Sequence, residues 1–399
     1  IEKNLEVATT TDDQGNRIDT LAMSHGIAMV AGGYLSADRF YYPTGLIEYR
    51  AGEKMFFTDP AGISREIQAD RIIVENKGSL AFGKLIATEE VTLISQANVF
   101  ITEGIINLGD GTLNISITAT GAEPNVSYAI PGDTSSEKIT EPSGIIGIWA
   151  MEVSDAQFSI LANRYVTIEN RYDLIMTADN LRKIDGGALE YIKLTSLEGV
   201  IQVNRGLEQA ALKATDLFLI AGDSINVQTD VDNINAEVNR YGGTDGITIR
   251  DLDAINLTNV STKSGPISVR GDGEIYAHYV QALQDENITL RSVGDLWIDY
   301  VNSGKGVALN RAVGIVTLRT TEGNVYEIEA QDVDTDIYGY TMEIYALNGE
   351  TAIVTSGEGA GVEANLYASE PILVGPPEPT NIDEMVTGDY VLEVDDFEE

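Results

Sequence analysis

The sequence predicts an all-β protein built as a parallel β-solenoid. Three observations lead to this prediction: a short phrase recurs along the chain, its apolar residues alternate, and helical periodicity is nearly absent. Copies of the phrase begin at Ile201, Ile225, Ile247, Ile267, Ile288 and Val316, which gives spacings of 24, 22, 20, 21 and 28 residues. This period is typical of one solenoid turn, whereas the four-stranded blade of a propeller needs more residues.

The copy ITLRSVGDLWIDYV shows the pattern within one turn. Ile288 and Leu290 are apolar, Thr289 and Arg291 between them are polar, and a turn with Gly and Asp leads into a second alternating segment. Alternation with a period of two indicates strands that have one buried face. We therefore expect two inward columns across successive turns, formed by Ile247, Ile267, Ile288 and Val316 and by Ile249, Val269, Leu290 and Leu318.

The prediction divides the chain into three regions. Residues 1–65 have a different, aromatic-rich residue pattern and are interpreted as an N-terminal cap or the start of the solenoid. Residues 66–370 form the solenoid, which at about 22 residues per turn has about 13 turns. Within it, residues 105–150 carry three prolines in GAEPNVSYAIPGDTSSEKITEPSG, which predicts a loop or a projecting strand pair. Residues 371–399 form a proline-rich linker and an acidic C-terminal arm.

The C-terminal arm contains one short alternating segment, Tyr390, Leu392 and Val394. Such a segment is suited to add a strand to the sheet edge of a neighbouring subunit. A frayed acidic tail is the alternative interpretation.

The charge of the chain restricts its partners. It has 63 acidic and 25 basic residues, a formal net charge of −38, and no cysteine. A surface of this kind repels nucleic acid and anionic lipid, so neither is an expected partner. No run of 18 apolar residues is present, so we expect no membrane insertion. Because the chain begins at Ile1 rather than Met, we expect a processed product or an excerpt.

Four arginines stand out against this acidic background. They follow the inward pair at the same offset in four successive copies: Arg250, Arg270, Arg291 and Arg319. The solenoid would place them in an outward ladder at about 5 Å intervals, which is repulsive by itself. Acids at the following turns, namely Asp251, Asp272, Asp295 and Glu322, are placed to form surface ion pairs with the ladder. The alternative is a docking strip for the acidic surface of a second copy.

Two acidic clusters are candidate calcium sites. Asp332, Asp334 and Asp336 alternate in QDVDTDIYG, and Asp12, Asp13 and Asp19 lie in TDDQGNRIDT. Carboxylate oxygens are the ligands that Ca²⁺ prefers, and a bound ion would have a structural role. A solvated acidic face is the alternative.

Candidate catalytic groups are scarce. The only histidines, His25 and His278, are distant in sequence and assemble neither a Ser-His-Asp triad nor a metal-binding pair. We therefore predict no enzyme activity and no catalytic residue, with a calcium-dependent polysaccharide lyase as the competing interpretation. Four aromatic residues on nearby strands fit either sugar binding or packing at the corners of the turns: Tyr276, Trp297, Tyr300 and Tyr326.

The copies of the phrase resemble the repeats of filamentous haemagglutinin-type exoproteins, over roughly residues 160–350. That resemblance implies a right-handed parallel β-helix and a secreted or surface-attached protein with a structural or adhesive function. We thus expect an extracellular or cell-surface subunit that self-assembles into a filament or layer by end stacking and strand addition. A monomeric adhesin stalk that binds cell-surface glycans is the alternative.

Overall fold

The chain is a parallel β-solenoid. The computed structural model describes residues 66–76, 80–121, 144–204, 211–241, 245–284, 286–304, 314–328 and 341–346, and the backbone of the further strands given below. The solenoid has about ten turns, whereas the length of the chain predicted about 13 turns. One reason is that single turns exceed the expected length: between the solenoid strands that end at Ala119 and begin at Ile145, the chain forms a separate antiparallel pair, Val126–Ser127 with Thr140–Glu141.

The molecule divides into two compact units, residues 1–199 with 203–213 and residues 200–202 with 214–399. The first unit contains a short 3₁₀ helix, Ala178–Asn180. Its strands are β1 Glu6–Thr11, β2 Arg17–Ala22, β3 Ile27–Ala31, β4 Arg39–Tyr41, β5 Leu46–Ala51, β6 Met55–Phe57, β7 Glu66–Gln68, β8 Arg71–Asn76, β9 Leu80–Phe82, β10 Lys84–Ala87, β11 Glu90–Ser95, β12 Val99–Ile101, β13 Ile105–Asn107, β14 Leu113–Ala119, β15 Val126–Ser127, β16 Thr140–Glu141, β17 Ile145–Met151, β18 Ala156–Ala162, β19 Tyr165–Asn170, β20 Leu174–Thr177, β21 Leu181–Lys183 and β22 Leu189–Ser196.

Three columns of parallel strands build the first unit. They are β2-β4-β7-β10-β13, β3-β5-β8-β11-β14-β18-β21 and β6-β9-β12-β17-β19-β22. The turn from 84 to 101, for example, contributes β10, β11 and β12, one strand to each column, so inward side chains stack on their equivalents one turn away. Val91, for example, pairs with Ile72 on one side and Ile115 on the other, and all three are buried.

The columns also show where residues 1–65 and 105–150 belong. The backbone of β2 to β6 pairs in parallel with later strands, so the solenoid columns begin within 1–65, while β1 is antiparallel to β2. Strands β13, β14 and β17 also lie in the columns. The segment between the columns is therefore shorter than the loop or projecting strand pair expected over residues 105–150. Its described backbone is an antiparallel pair, β15 with β16.

The second unit is built from β25 Ile225–Val238, β26 Ile247–Asp251, β27 Ile255–Thr262, β28 Ile267–Gly271, β29 Ile275–Ala277, β30 Val280–Ala282, β31 Ile288–Ser292, β32 Leu296–Ile298, β33 Tyr300–Ser303, β34 Ile315–Thr320, β35 Val325–Glu327, β36 Thr335–Gly339, β37 Thr341–Ala346, β38 Ala364–Ala368 and β39 Leu373–Val374. The boundary between the units falls within β23 Ile201–Asn204 and β24 Leu212–Ala221.

A turn of the second unit has three sides, which we call the first, second and third columns. In the turn from 288 to 303 these are β31, β32 and β33. The first column contains β26, β28, β31, β34 and β37, the second β27, β29, β32 and β35, and the third β27, β30, β33, β36 and β38. The long strand β27 spans two sides, because it pairs with both β29 and β30.

The core of the second unit confirms the inward columns that the repeat predicts. Ile247, Ile267, Ile288 and Val316 are consecutive partners along the first column, as are Ile249, Val269, Leu290 and Leu318. All eight side chains are at most 1% exposed. Their burial is the main stabilising contribution that the repeat makes, since one turn by itself leaves its apolar side exposed.

Close backbone packing marks the corner that precedes the first column. Gly246 has a φ of +60°, and a Cβ atom built on it would lie 2.0 Å from the carbonyl oxygen of Pro266. A side chain at this position would therefore force two turns apart.

Candidate interaction face

The four predicted arginines lie side by side on the outer surface of the first column. Arg250 pairs in register with Arg270, Arg270 with Arg291, and Arg291 with Arg319. Neighbouring strands are about 4.8 Å apart, so the guanidinium groups start from positions of that spacing. We call this row of four residues the arginine face.

One acid joins two members of the arginine face. Oδ2 of Asp272 lies 3.3 Å from Nη2 of Arg250, and its Oδ1 lies 3.3 Å from Nε of Arg270. The side chain of Arg270 is nevertheless 59% exposed. Arg291 is exposed as well and forms no ion pair with the residues that the structure describes. The middle of the face is thus positively charged and accessible.

The other predicted acids lie elsewhere. Asp251 was expected on the surface beside Arg250, but its side chain points into the core and is 0% exposed. Its carboxylate accepts hydrogen bonds from the hydroxyl of Thr229 at 2.8 Å and from the amides of Val231 at 3.2 Å and Asp253 at 2.9 Å. Burial raises the pKa of Asp251 to about 6, although the three hydrogen bonds act in the opposite direction.

Asp295 stabilises a turn rather than pairing with the arginine face, because its Oδ1 accepts a hydrogen bond from the backbone N–H of Asn324 at 2.8 Å. Of the four acids that the sequence places after the arginines, the structure shows an ion pair to the face only for Asp272 within the described ranges. The interleaved acids predicted from the sequence therefore leave Arg291 without an ion pair among the described residues.

A row of hydroxyl groups runs beside the arginine face, two residues earlier in each strand. Its members are in register across four turns: Thr248, Ser268, Thr289 and Thr317. The first column thus presents two outward rows, one of uncharged donors and acceptors and one of guanidinium groups. Hydroxyl and guanidinium groups together suit an anionic, oxygen-rich partner surface. The hydroxyl row was not singled out from the sequence, although the alternation that identified the arginines also places it on the surface.

Stacked aromatic rings occupy the second column. The rings of Tyr276 and Trp297 are 5.8 Å apart and 3° from parallel, and those of Trp297 and Tyr326 are 4.6 Å apart at 30°. Tyr300 stacks instead on Tyr279, at 4.9 Å and 6°. In the stack of Tyr276, Trp297 and Tyr326, the ring faces contact one another rather than solvent. This supports packing, rather than sugar binding, as the role of these three residues.

The remaining predicted sites fall outside the described residues. These are Asp12, Asp13, Asp332 and Asp334 and the arm residues Tyr390, Leu392 and Val394. Asp19 lies in β2 and Asp336 in β36, but their side chains are likewise outside the described part. Among the described side chains, no group of three or more His, Cys, Asp or Glu is arranged to hold a metal ion. The calcium sites therefore stay predictions.

Comparisons of this chain with protein-family models, with curated proteins and with solved structures give no match. In the described ranges, no helix has the length and apolar character needed to cross a membrane. The fold and the arrangement of side chains on its surface are therefore the basis for any functional conclusion.

Proposed function

We propose that this chain is a non-enzymatic, extracellular structural subunit that self-assembles into a surface filament or layer. The observation that carries the proposal is the arginine face: four cations in register on one side of a protein whose formal net charge is −38. We further propose that the acidic surface of a second copy covers this face.

Electrostatics explains why a local cationic row matters here. Two copies with a charge of −38 repel each other, but at physiological ionic strength charges are screened beyond about 8 Å. Contacts at short range then decide whether copies associate. The accessible guanidinium groups of Arg270 and Arg291 supply the complementary charge that an acidic surface needs.

The hydroxyl row supports the same partner. A flat surface with regularly spaced donors can bind several carboxylates at once, and a guanidinium binds a carboxylate in a bidentate manner. Each exposed ion pair contributes little by itself, about 0–1 kcal/mol. A row of pairs on a rigid sheet adds these contributions without ordering a flexible segment, which is why we favour a surface contact between folded subunits.

The resemblance of the repeat to filamentous haemagglutinin-type exoproteins supports an extracellular or cell-surface location for this assembly. In the same proposal, end stacking and the C-terminal arm at Tyr390, Leu392 and Val394 connect successive subunits, and Ca²⁺ at the aspartate clusters around Asp12 and Asp332 has a structural role. Right-handed winding is part of this proposal as well.

Negative-stain electron microscopy of the purified chain, with calcium and again with chelator, tests the proposed function. We expect filaments or sheets with a regular subunit repeat. Loss of the assemblies in chelator would support the calcium sites, and loss after deletion of residues 376–399 would support the arm. Single, unassociated particles under all conditions would contradict self-assembly.

A further inference from the structure

A groove on the third column of the second unit lies apart from the arginine face. It has a volume of about 500 Å³ and is open to solvent on one side. Three successive turns line it, at 237–239, at 258–263 and at 279–283. Its volume is within the range of small-molecule sites, about 300–1,000 Å³.

Tyr279 provides the aromatic side of the groove. One face of its ring stacks on Tyr300, which belongs to the following turn. The groove is formed by the turn of Tyr279 and by the two turns before it, so the opposite face of the ring is the one that lines the groove. The side chain is 37% exposed.

The position of the ring is fixed on both sides. The hydroxyl of Tyr279 donates a 2.6 Å hydrogen bond to Oε1 of Gln281, and its carbonyl oxygen accepts the amide of Val260 at 2.8 Å. Because Val260 pairs with Val280, the residue at the level of Tyr279 in the preceding turn is Asn259. The stack of two rings therefore ends at Asn259, whose side chain is smaller than an aromatic ring and lines the groove together with Tyr279.

Polar groups that suit hydroxyls surround this ring. Asn239, Asn259, Ser261 and Gln281 line the groove with amides and a hydroxyl. Oδ1 of Asn259 is closed off from water and accepts no hydrogen bond from the described residues. A small rotation of this amide towards a ligand hydroxyl would give that oxygen the hydrogen bond that it lacks.

The groove is lined by one acidic and one basic side chain, whose formal charges cancel. Glu237 and Lys263 both line it, and Nζ of Lys263 lies 5.6 Å from the centre of the Tyr241 ring. One acid and one base give no net local charge, in a chain whose overall charge disfavours polyanions. A neutral ligand is therefore favoured over a uronate or a sulfated sugar.

We propose that this groove is a carbohydrate-binding subsite that takes one pyranose unit of a neutral glycan. The apolar C–H face of the sugar stacks on the exposed face of Tyr279, and the ring hydroxyls exchange hydrogen bonds with Asn239, Asn259 and Gln281. An aromatic platform surrounded by planar amides matches the chemistry of a pyranose, which has apolar faces and a hydroxylated edge.

Isothermal titration calorimetry of the full chain tests the subsite, with cellohexaose, laminarihexaose and mannohexaose as neutral probes and hexagalacturonate as the charged comparison. We expect saturable binding of at least one neutral probe and none of hexagalacturonate. Tyr279→Ala should weaken that binding at least tenfold, whereas Tyr279→Phe, which keeps the platform, should stay within about threefold of the unchanged chain.

Tyr172 provides the matched control, because it is 38% exposed and lies outside the groove. Tyr172→Ala should bind the probe as the unchanged chain does, and circular dichroism should show that all variants retain their strands. The proposal is overturned if no neutral probe binds, or if Tyr279→Ala binds as tightly as Tyr172→Ala. These outcomes are separate from self-assembly, since no residue of the groove belongs to the arginine face.

Discussion

The hydroxyl of Thr229 donates a 2.8 Å hydrogen bond to the carboxylate of Asp251, one turn further along the core. Inward positions of a solenoid are normally apolar, and a buried carboxylate is stable only with hydrogen bonds or with a proton. Asp251 has three hydrogen bonds, and burial raises the pKa of its carboxyl to about 6.

The stability of the chain should therefore depend on pH through Asp251. Because burial raises the pKa of the Asp251 carboxyl in the folded state above its ordinary value of 3.8, the folded chain holds the proton more tightly than the unfolded chain does. This contribution is fully present below about pH 4 and is lost as the pH rises through about 6. Between pH 5 and pH 8 the loss is on the order of 1 kcal/mol.

Urea unfolding of the unchanged chain and of Asp251→Asn at pH 5 and pH 8 measures this effect. The difference in free energy of unfolding between the two proteins should change by about 1 kcal/mol across that interval. Asp110→Asn makes the same replacement at an exposed position and is the control. An equal pH response in both variants would show that Asp251 does not titrate in this range.

The alternation of β31 gives a direct prediction for the core. Leu290 is 0% exposed, whereas its neighbour Thr289 faces outward. Leu290→Ala should lower the free energy of unfolding by about 2–5 kcal/mol, because it removes buried methyl groups and leaves a cavity. Thr289→Ala should change it by about 0.5 kcal/mol at most. Similar losses for both variants, measured by urea unfolding, would contradict the assigned inward side.

The corner at Gly246 should tolerate no side chain. Gly246→Ala combines a φ of +60° with a contact of 2.0 Å to the backbone of Pro266, so both strain and displacement follow. We expect a loss of about 2 kcal/mol or more in free energy of unfolding. Gly111→Ala is the control, since a Cβ there meets nothing within 4 Å. Thermal unfolding that shifts equally for both would show that the corner is not closely packed.

The alternation of apolar and polar residues determines which features of the second unit could be predicted from the sequence. The inward columns through Ile288 and Leu290 and the register of the arginines were predictable, because a regular period fixes both the side of the strand and the neighbour in the next turn. Asp251 was placed wrongly on the surface although the same alternation assigns it inward, after Ile247 and Ile249. The charge of an aspartate favours the surface, but the position of Asp251 in the alternation decides its direction.

The groove was not predictable in the same way. Between Ala277 and Val280, both of which are buried, the chain turns a corner and the period of two breaks, so the direction of Tyr279 does not follow from the pattern. The stacking of Tyr279 on Tyr300 depends on the equal length of this corner in two successive turns. Corner geometry of this kind requires the three-dimensional arrangement.

The central claim is that the arginine face joins copies of the chain, and charge reversal tests it. Arg270→Glu with Arg291→Glu changes the net charge by −4, from −38 to −42. Arg182→Glu with Arg240→Glu makes the same change at exposed arginines outside the face and is the matched control. Both pairs retain the inward core residues.

Sedimentation velocity of these proteins at physiological ionic strength is the most direct measurement. We predict that the unchanged chain and the control sediment as species larger than the 43.0 kDa monomer. The variant reversed at Arg270 and Arg291 should sediment as the monomer, with its circular dichroism spectrum preserved. Association of that variant to the same extent as the control, or a monomeric unchanged chain, would contradict the claim.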